Sequence, residues 1–185
     1  VAKGMFPRVN VFKLGYDRED VEEFFNFARD AYEDMASDKK LEPFEVRRAS
    51  FDLSHGGYDP AAVDAALDRL EVAFSLRGRE TYVKDRGQDA WMRELADRAQ
   101  TLYPRLRRPV GERFSHPGAM SHGYAADEVD AILDRLIEFF DKGTPITADE
   151  IRALTFKRKR GAHAYQERVV DAYLARAIDI LLGAS

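Results

Sequence analysis

The chain has 185 residues, 45% of them hydrophobic, enough for one compact core or two small ones. A net charge of −4 argues against a general nucleic-acid binder. The lack of cysteine excludes disulfides, thiolate metal sites and a cysteine nucleophile, which fits a cytoplasmic location. No apolar run is long enough for a transmembrane helix, and the first residues read as a domain boundary rather than a signal peptide.

In chain order, the first predicted element is a helix after Gly15-Tyr16, with Asp17 as N-cap, running to Ser37. Its apolar positions are Val21, Phe25, Ala28 and Tyr32. "LEPFEVRRASF" then predicts one short helical turn before Phe51. Gly57-Tyr58 opens the second helix, with Asp59 as N-cap, Pro60 at the first helical position and Gly78 as its end. Its seam is Val63, Leu67, Leu70 and Phe74. "RGQDAWMRELADRAQTLYPRLRRP" predicts an inserted helix with Trp91, Leu95, Ala99 and Leu102 on one face and Pro104 as its stop.

The third helix follows Gly123-Tyr124 and ends at Gly143, with Val129, Leu133, Leu136 and Phe140 as its seam. It lacks an N-cap at Ala125, though Asp127 and Glu128 favour the positive helix end. "PITADEIRALTF" predicts a second short turn with a Thr147–Glu150 capping box. The last helix follows Ala164-Tyr165 and carries Val170, Leu174, Ala177 and Leu181.

These elements are four copies of one unit. Counted from each Tyr, the apolar positions step by four, three and four residues, which is one seam of a helix that packs side by side with another. Each copy is read with an upstream Phe anchor and a variable surface loop before the Tyr. The anchors are Phe12, Tyr16, Phe51, Tyr58, Phe114, Tyr124, Phe156 and Tyr165, all expected to be buried. The fold expected is mainly α: a pseudo-symmetric bundle of four loop–helix repeats plus the inserted helix, with brief strand-like pairing at the Phe anchors. Residues 1–76 hold copies one and two, 77–108 the connecting helix and 109–185 copies three and four, as one compact unit.

The repeated unit resembles the DivIVA domain, whose motif is a Thr-Pro-x-Asp-Ile-like turn, a Phe, a variable loop, Gly-Tyr-Asp and Glu-Val-Asp-x-Phe-Leu. "ITADEIRALTF", "GYDPAAVDAALDRL" and "GYAADEVDAILDRL" carry the resemblance. "GYDREDVEEFF" matches less well, and "AYQERVVDAYL" keeps the pattern without its Gly. The four-fold recurrence is similar to actinobacterial DivIVA-domain repeat proteins. The resemblance implies a non-catalytic scaffold of cell division or polar growth that binds other proteins and touches an anionic membrane surface through loop tips. On this chain the tip positions are Lys13, Leu14, Leu53, Met120, Lys157, Arg158, Lys159 and Arg160. The long heptad tail of that family is absent. The tandem copies are therefore expected to pair within one chain, one with two and three with four, giving a monomer or small homo-oligomer without filaments.

Glu22, Asp64, Asp130 and Asp171, six residues after each Tyr, resemble a catalytic carboxylate set, but with Asp68 and Asp134 they read better as partners of Arg. His55, His116, His122 and His163 lie in the stretches before the Tyr anchors, lack metal-ligand spacing and read as residues that orient turns. No nucleophile elbow or phosphate-binding loop is present, so neither catalysis nor a cofactor is expected. The alternative function is a helical ligand-binding or enzymatic domain that reuses the repeat; a third is a structural fragment of a longer repeat protein. The adjacent pairs Phe24-Phe25 and Phe139-Phe140 require either helices buried on two faces or a partner surface.

Overall fold

A computed structural model describes residues 4–33 and 40–184. The protein is mainly helical with small antiparallel sheets. The chain divides into two compact units, Val1–Glu80 and Thr81–Ser185.

In the first unit, β1 (Leu14–Tyr16) pairs antiparallel with β2 (Leu53–His55), with Leu14 opposite His55 and Tyr16 opposite Leu53. Helix α1 (Arg18–Glu33) starts where the Asp17 carboxylate accepts the Glu19 N–H at 2.9 Å, the cap its sequence predicts. Its expected end at Ser37 lies outside the described residues. Helix α2 (Pro43–Arg47) is the short turn before Phe51, and its Glu45 carboxylate reaches back to the Glu42 N–H at 2.8 Å. Helix α3 starts at Pro60, with the Asp59 carboxylate accepting from Ala61 N–H at 3.2 Å.

Helix α3 does not stop at Gly78 but continues to Arg86, so the unit boundary falls inside it. A glycine in mid-helix costs about 1 kcal/mol and ends a helix only where the chain turns left-handed. That happens at Gly87, with φ of +87°. The core of this unit is Val21, Ala28, Val46, Tyr58, Val63, Leu67 and Phe74. The buried Glu71 of α3 pairs with Arg47, fastening α2 to α3.

The second unit begins with the end of α3. Helix α4 (Gln88–Gln100) buries Trp91 and Leu95, and Leu102 follows on the same face. Pro104 does not stop it. The helix ends at Thr101, whose hydroxyl donates to the Arg98 carbonyl at 2.7 Å, and Pro104 sits in the first turn of a new short helix, α5 (Tyr103–Leu106). There its missing N–H costs nothing.

Strand β3 (His122–Ala125) lies between β4 (Arg158–Arg160) and β5 (Ala164–Tyr165). Helix α6 (Ala126–Lys142) ends at Gly143, left-handed with φ of +71°, as its sequence predicts. Helix α7 (Ala148–Arg152) is capped by the Thr147 hydroxyl, which accepts from Glu150 N–H at 3.1 Å. Helix α8 (Glu167–Ala184) closes against α4. The Trp91 indole donates to the Gly183 carbonyl at 3.1 Å, and a Cβ on Gly183 would lie 2.8 Å from Leu95.

All four adjacent aromatics, Phe24, Phe25, Phe139 and Phe140, are half-buried. Phe25 packs on Phe6 and Phe24 on Phe51, while Phe140 packs on Tyr103 and on Phe139.

Candidate functional site

Within each unit the two copies exchange the same contacts in both directions. Tyr16 and Tyr58 donate their N–H groups to each other's carbonyls at 2.9 and 2.8 Å, and Tyr124 faces Tyr165 in the β3–β5 register. The residue after each Tyr donates its N–H to the carbonyl following the other copy's anchor Phe. The four bonds are Asp17 to Asp52 (2.7 Å), Asp59 to Pro7 (2.9 Å), Ala125 to Lys157 (2.8 Å) and Gln166 to Ser115 (2.9 Å). Ring contacts follow the same exchange: Tyr16–Phe51, Tyr58–Phe6, Tyr124–Phe156 and Tyr165–Phe114, at centroid distances of 5.0–5.6 Å.

The carboxylates six residues after each Tyr belong to this exchange. The Tyr58 hydroxyl donates to Glu22, and the Tyr165 hydroxyl donates to Asp130 at 3.0 Å. Reciprocally, burial raises the Tyr16 and Tyr124 phenols, and the nearby Asp64 and Asp171 carboxylates raise them further. These acids were expected to pair with Arg. Their shared partner is instead the other copy's tyrosine, with Arg18 beside Glu22 at 3.8 Å and Arg113 beside Asp130 at 3.7 Å as additions. Asp134 and Arg135 do make ion pairs, with Arg113 and Glu150 respectively, both at 2.5 Å.

Burial and the neighbouring Asp130 anion push the Tyr165 phenol up to about 12, although the Arg113 N–H and guanidinium pull the other way. Partial desolvation raises the Asp171 carboxyl, although the residue is exposed at the surface, against the pull of the Tyr124 hydroxyl.

The Gly of Gly-Tyr is required by the same close approach. A Cβ on Gly15 would lie 2.4 Å from the Tyr58 carbonyl oxygen, and one on Gly123 would lie 2.1 Å from that of Tyr165.

Of the eight expected anchors, Tyr58, Phe114 and Tyr165 are buried, Tyr16, Phe51, Tyr124 and Phe156 are half-buried, and Phe12 is misplaced. Phe12 is 87% exposed, and its place in the core is taken by Phe6. Phe6 stands to Tyr16 as the buried Phe114 stands to Tyr124: the stretches "FPRVNVFKLGY" and "FSHPGAMSHGY" have equal length. This spacing was the available signal, hidden because Phe12 lies nearer the Gly-Tyr. The backbone confirms the alignment, since Met5 N–H donates to the Tyr58 hydroxyl at 3.0 Å and Arg113 N–H to the Tyr165 hydroxyl at 3.1 Å.

With this alignment, Phe12 and Met120 occupy one position. Each is the third residue of a β-turn, Asn10–Lys13 and Gly118–Ser121, closed by a backbone bond of 2.8 Å in both cases. They are the two most exposed large apolar side chains among the described residues, at 87% and 80%. Around Phe12, Val11, Lys13 and Leu14 are also exposed, as is Leu53 in the paired strand.

The basic stretch 157–160 is engaged locally. Lys157 pairs with Glu128 (3.2 Å), Arg158 with Glu167 (2.8 Å) and Lys159 with Asp127 (2.9 Å), while Arg160 donates to His122 at 2.9 Å. Two histidines thus hold loops, because His116 Nδ1 also bonds the Ala164 carbonyl at 2.7 Å and its ring stacks on Tyr165. His55 sits opposite Leu14, and His163 ends a 3-10 turn.

An open groove of about 790 Å³ in the first unit is lined by both signs of charge, among them Arg8, Arg18, Glu19, Glu23 and His55. Its Glu22 is already committed to Tyr58. Among the described residues no cluster of three or more His, Asp or Glu side chains could hold a metal ion, and no helix is long and apolar enough to cross a membrane. No protein-family model, no curated protein and no solved structure matches the chain.

Proposed function

We propose that the chain is a non-catalytic scaffold of DivIVA type, a pseudo-symmetric bundle of four such repeats that serves cell division or polar growth. In this reading copy one pairs with copy two and copy three with copy four, replacing an encounter of two chains by a linked one. Each unit holds one turn out to a lipid surface, the cytoplasmic face of a bilayer, and other proteins assemble on the helices.

The observation that carries the reading is the equivalence of Phe12 and Met120. The third position of a turn ordinarily takes small or polar residues. A Phe and a Met held there, nearly free of the core, leave apolar surface that a lipid boundary would cover, at roughly 1.5–3 kcal/mol for each side chain buried. Lys13, next to Phe12, adds attraction for anionic headgroups of about 1 kcal/mol. The cations of 157–160 are engaged with carboxylates and His122 and contribute less than their number suggests.

Co-sedimentation with phosphatidylglycerol/phosphatidylethanolamine vesicles tests this. The wild type should bind, and Phe12→Ser/Met120→Ser should bind at least ten-fold less with an unchanged melting temperature. Wild-type protein that stays in the supernatant, or equal binding by the double variant, refutes the docking role.

A further inference from the structure

The two turn apices differ in chemistry. Phe12 is inert to mild oxidants, whereas Met120 carries a thioether, and exposed thioethers are converted to sulfoxides by peroxides. Met120 is 80% exposed, against 52% for Met92 in α4 and 39% for Met5. Its turn is closed through the backbone, by Ser121 N–H to the Gly118 carbonyl, so the side chain is presented without being needed by the core. We infer that Met120 is an oxidation-sensitive modification site, at which a peroxide switches off the second docking turn and leaves the first in place. The docking consequence rests on the function proposed above.

The step balances with hydrogen peroxide as oxidant. A lone pair of Met120 Sδ attacks one peroxide oxygen, the O–O bond breaks and an S–O bond forms. The sulfur is oxidised by two electrons, and the departing hydroxide takes the proton of the new S–OH group, leaving the sulfoxide and one water. A dithiol working through a methionine sulfoxide reductase reverses the change, giving back the thioether with one water and one disulfide. The sulfoxide is polar, so the apex would no longer favour an apolar surface. Phe12, at the matching place, keeps its affinity, so the chain retains one working turn.

The test treats the 185-residue chain with limiting hydrogen peroxide. Oxidation is read residue by residue by peptide mass spectrometry, and binding is measured on the same phosphatidylglycerol/phosphatidylethanolamine vesicles. Met120 should oxidise before Met92 and Met5. Oxidised wild type should bind about ten-fold more weakly than untreated protein, a methionine sulfoxide reductase with dithiothreitol should restore binding, and Met120→Leu should bind equally before and after treatment. Oxidation of Met120 no faster than Met92 overturns the inference. So does unaltered binding by protein fully oxidised at Met120. If untreated wild type ignores the vesicles, the docking reading fails and the switching claim with it, while the order of oxidation is still decided by the mass spectra.

Discussion

Removing the Tyr165 hydroxyl would leave the buried Asp130 short of one donor and Arg113 N–H without its acceptor. Tyr165→Phe should therefore cost about 1–3 kcal/mol in denaturant unfolding. Tyr124→Phe should cost less, because Asp171 is exposed and can turn to water. The same hydroxyl gives a base-sensitive term. Its pKa is near 10 in the unfolded chain and about 12 in the fold, so its contribution is complete below pH 10 and is lost as pH rises through 12. Urea melts of wild type and Tyr165→Phe between pH 9 and 12 should converge as the pH climbs. Gly123→Ala should destabilise by about 1–3 kcal/mol or prevent folding, since its Cβ has no room beside the Tyr165 carbonyl. At this scale the sequence displayed the repeated acids but not their partners. A repeat pattern records what recurs along the chain; Tyr58 meeting Glu22 depends on the relation between copies, which only the folded pair displays.

Helix seams were legible because burial imposes the period directly. Val63, Leu67 and Phe74 are buried, and so are Val129, Leu133 and Leu136. Helix ends were less so, because one residue type serves opposite roles. Gly143 is left-handed and ends α6, but Gly78 is an ordinary mid-helix residue with open space where a Cβ would be. Two alanine substitutions should consequently differ in sign. Gly78→Ala should raise stability by up to about 1 kcal/mol, and Gly143→Ala should lower it by about the same amount. Thermal melts of the two variants beside wild type would decide. A stabilising Gly143→Ala would mean that α6 does not end as described. Pro104 follows the same logic, since a proline that can end one helix can equally open the next.

Across the whole molecule, the recurrence of the unit could be read from spacing, whereas exposure could not, and the strands lie at the Tyr positions and just past Phe51 and Phe156 rather than at the Phe anchors. Phe12 and Phe6 are both Phe upstream of Tyr16, and composition does not say which one the core takes. The basic stretch 157–160 drew attention by its charge, yet it works as a brace, with β4 tied to the starts of α6 and α8 by surface pairs worth about 0–1 kcal/mol each. Replacing all four cations by alanine should therefore cost about 1–2 kcal/mol of stability and leave docking by the folded fraction largely intact.

The most direct measurement is vesicle affinity at a matched folded fraction for three proteins: wild type, Phe12→Ser, and Lys157→Ala/Arg158→Ala/Lys159→Ala/Arg160→Ala. The account predicts that Phe12→Ser keeps its melting temperature and binds about ten-fold more weakly, while the quadruple variant melts earlier and still binds. The reverse, binding lost with the cations and kept without Phe12, would contradict it.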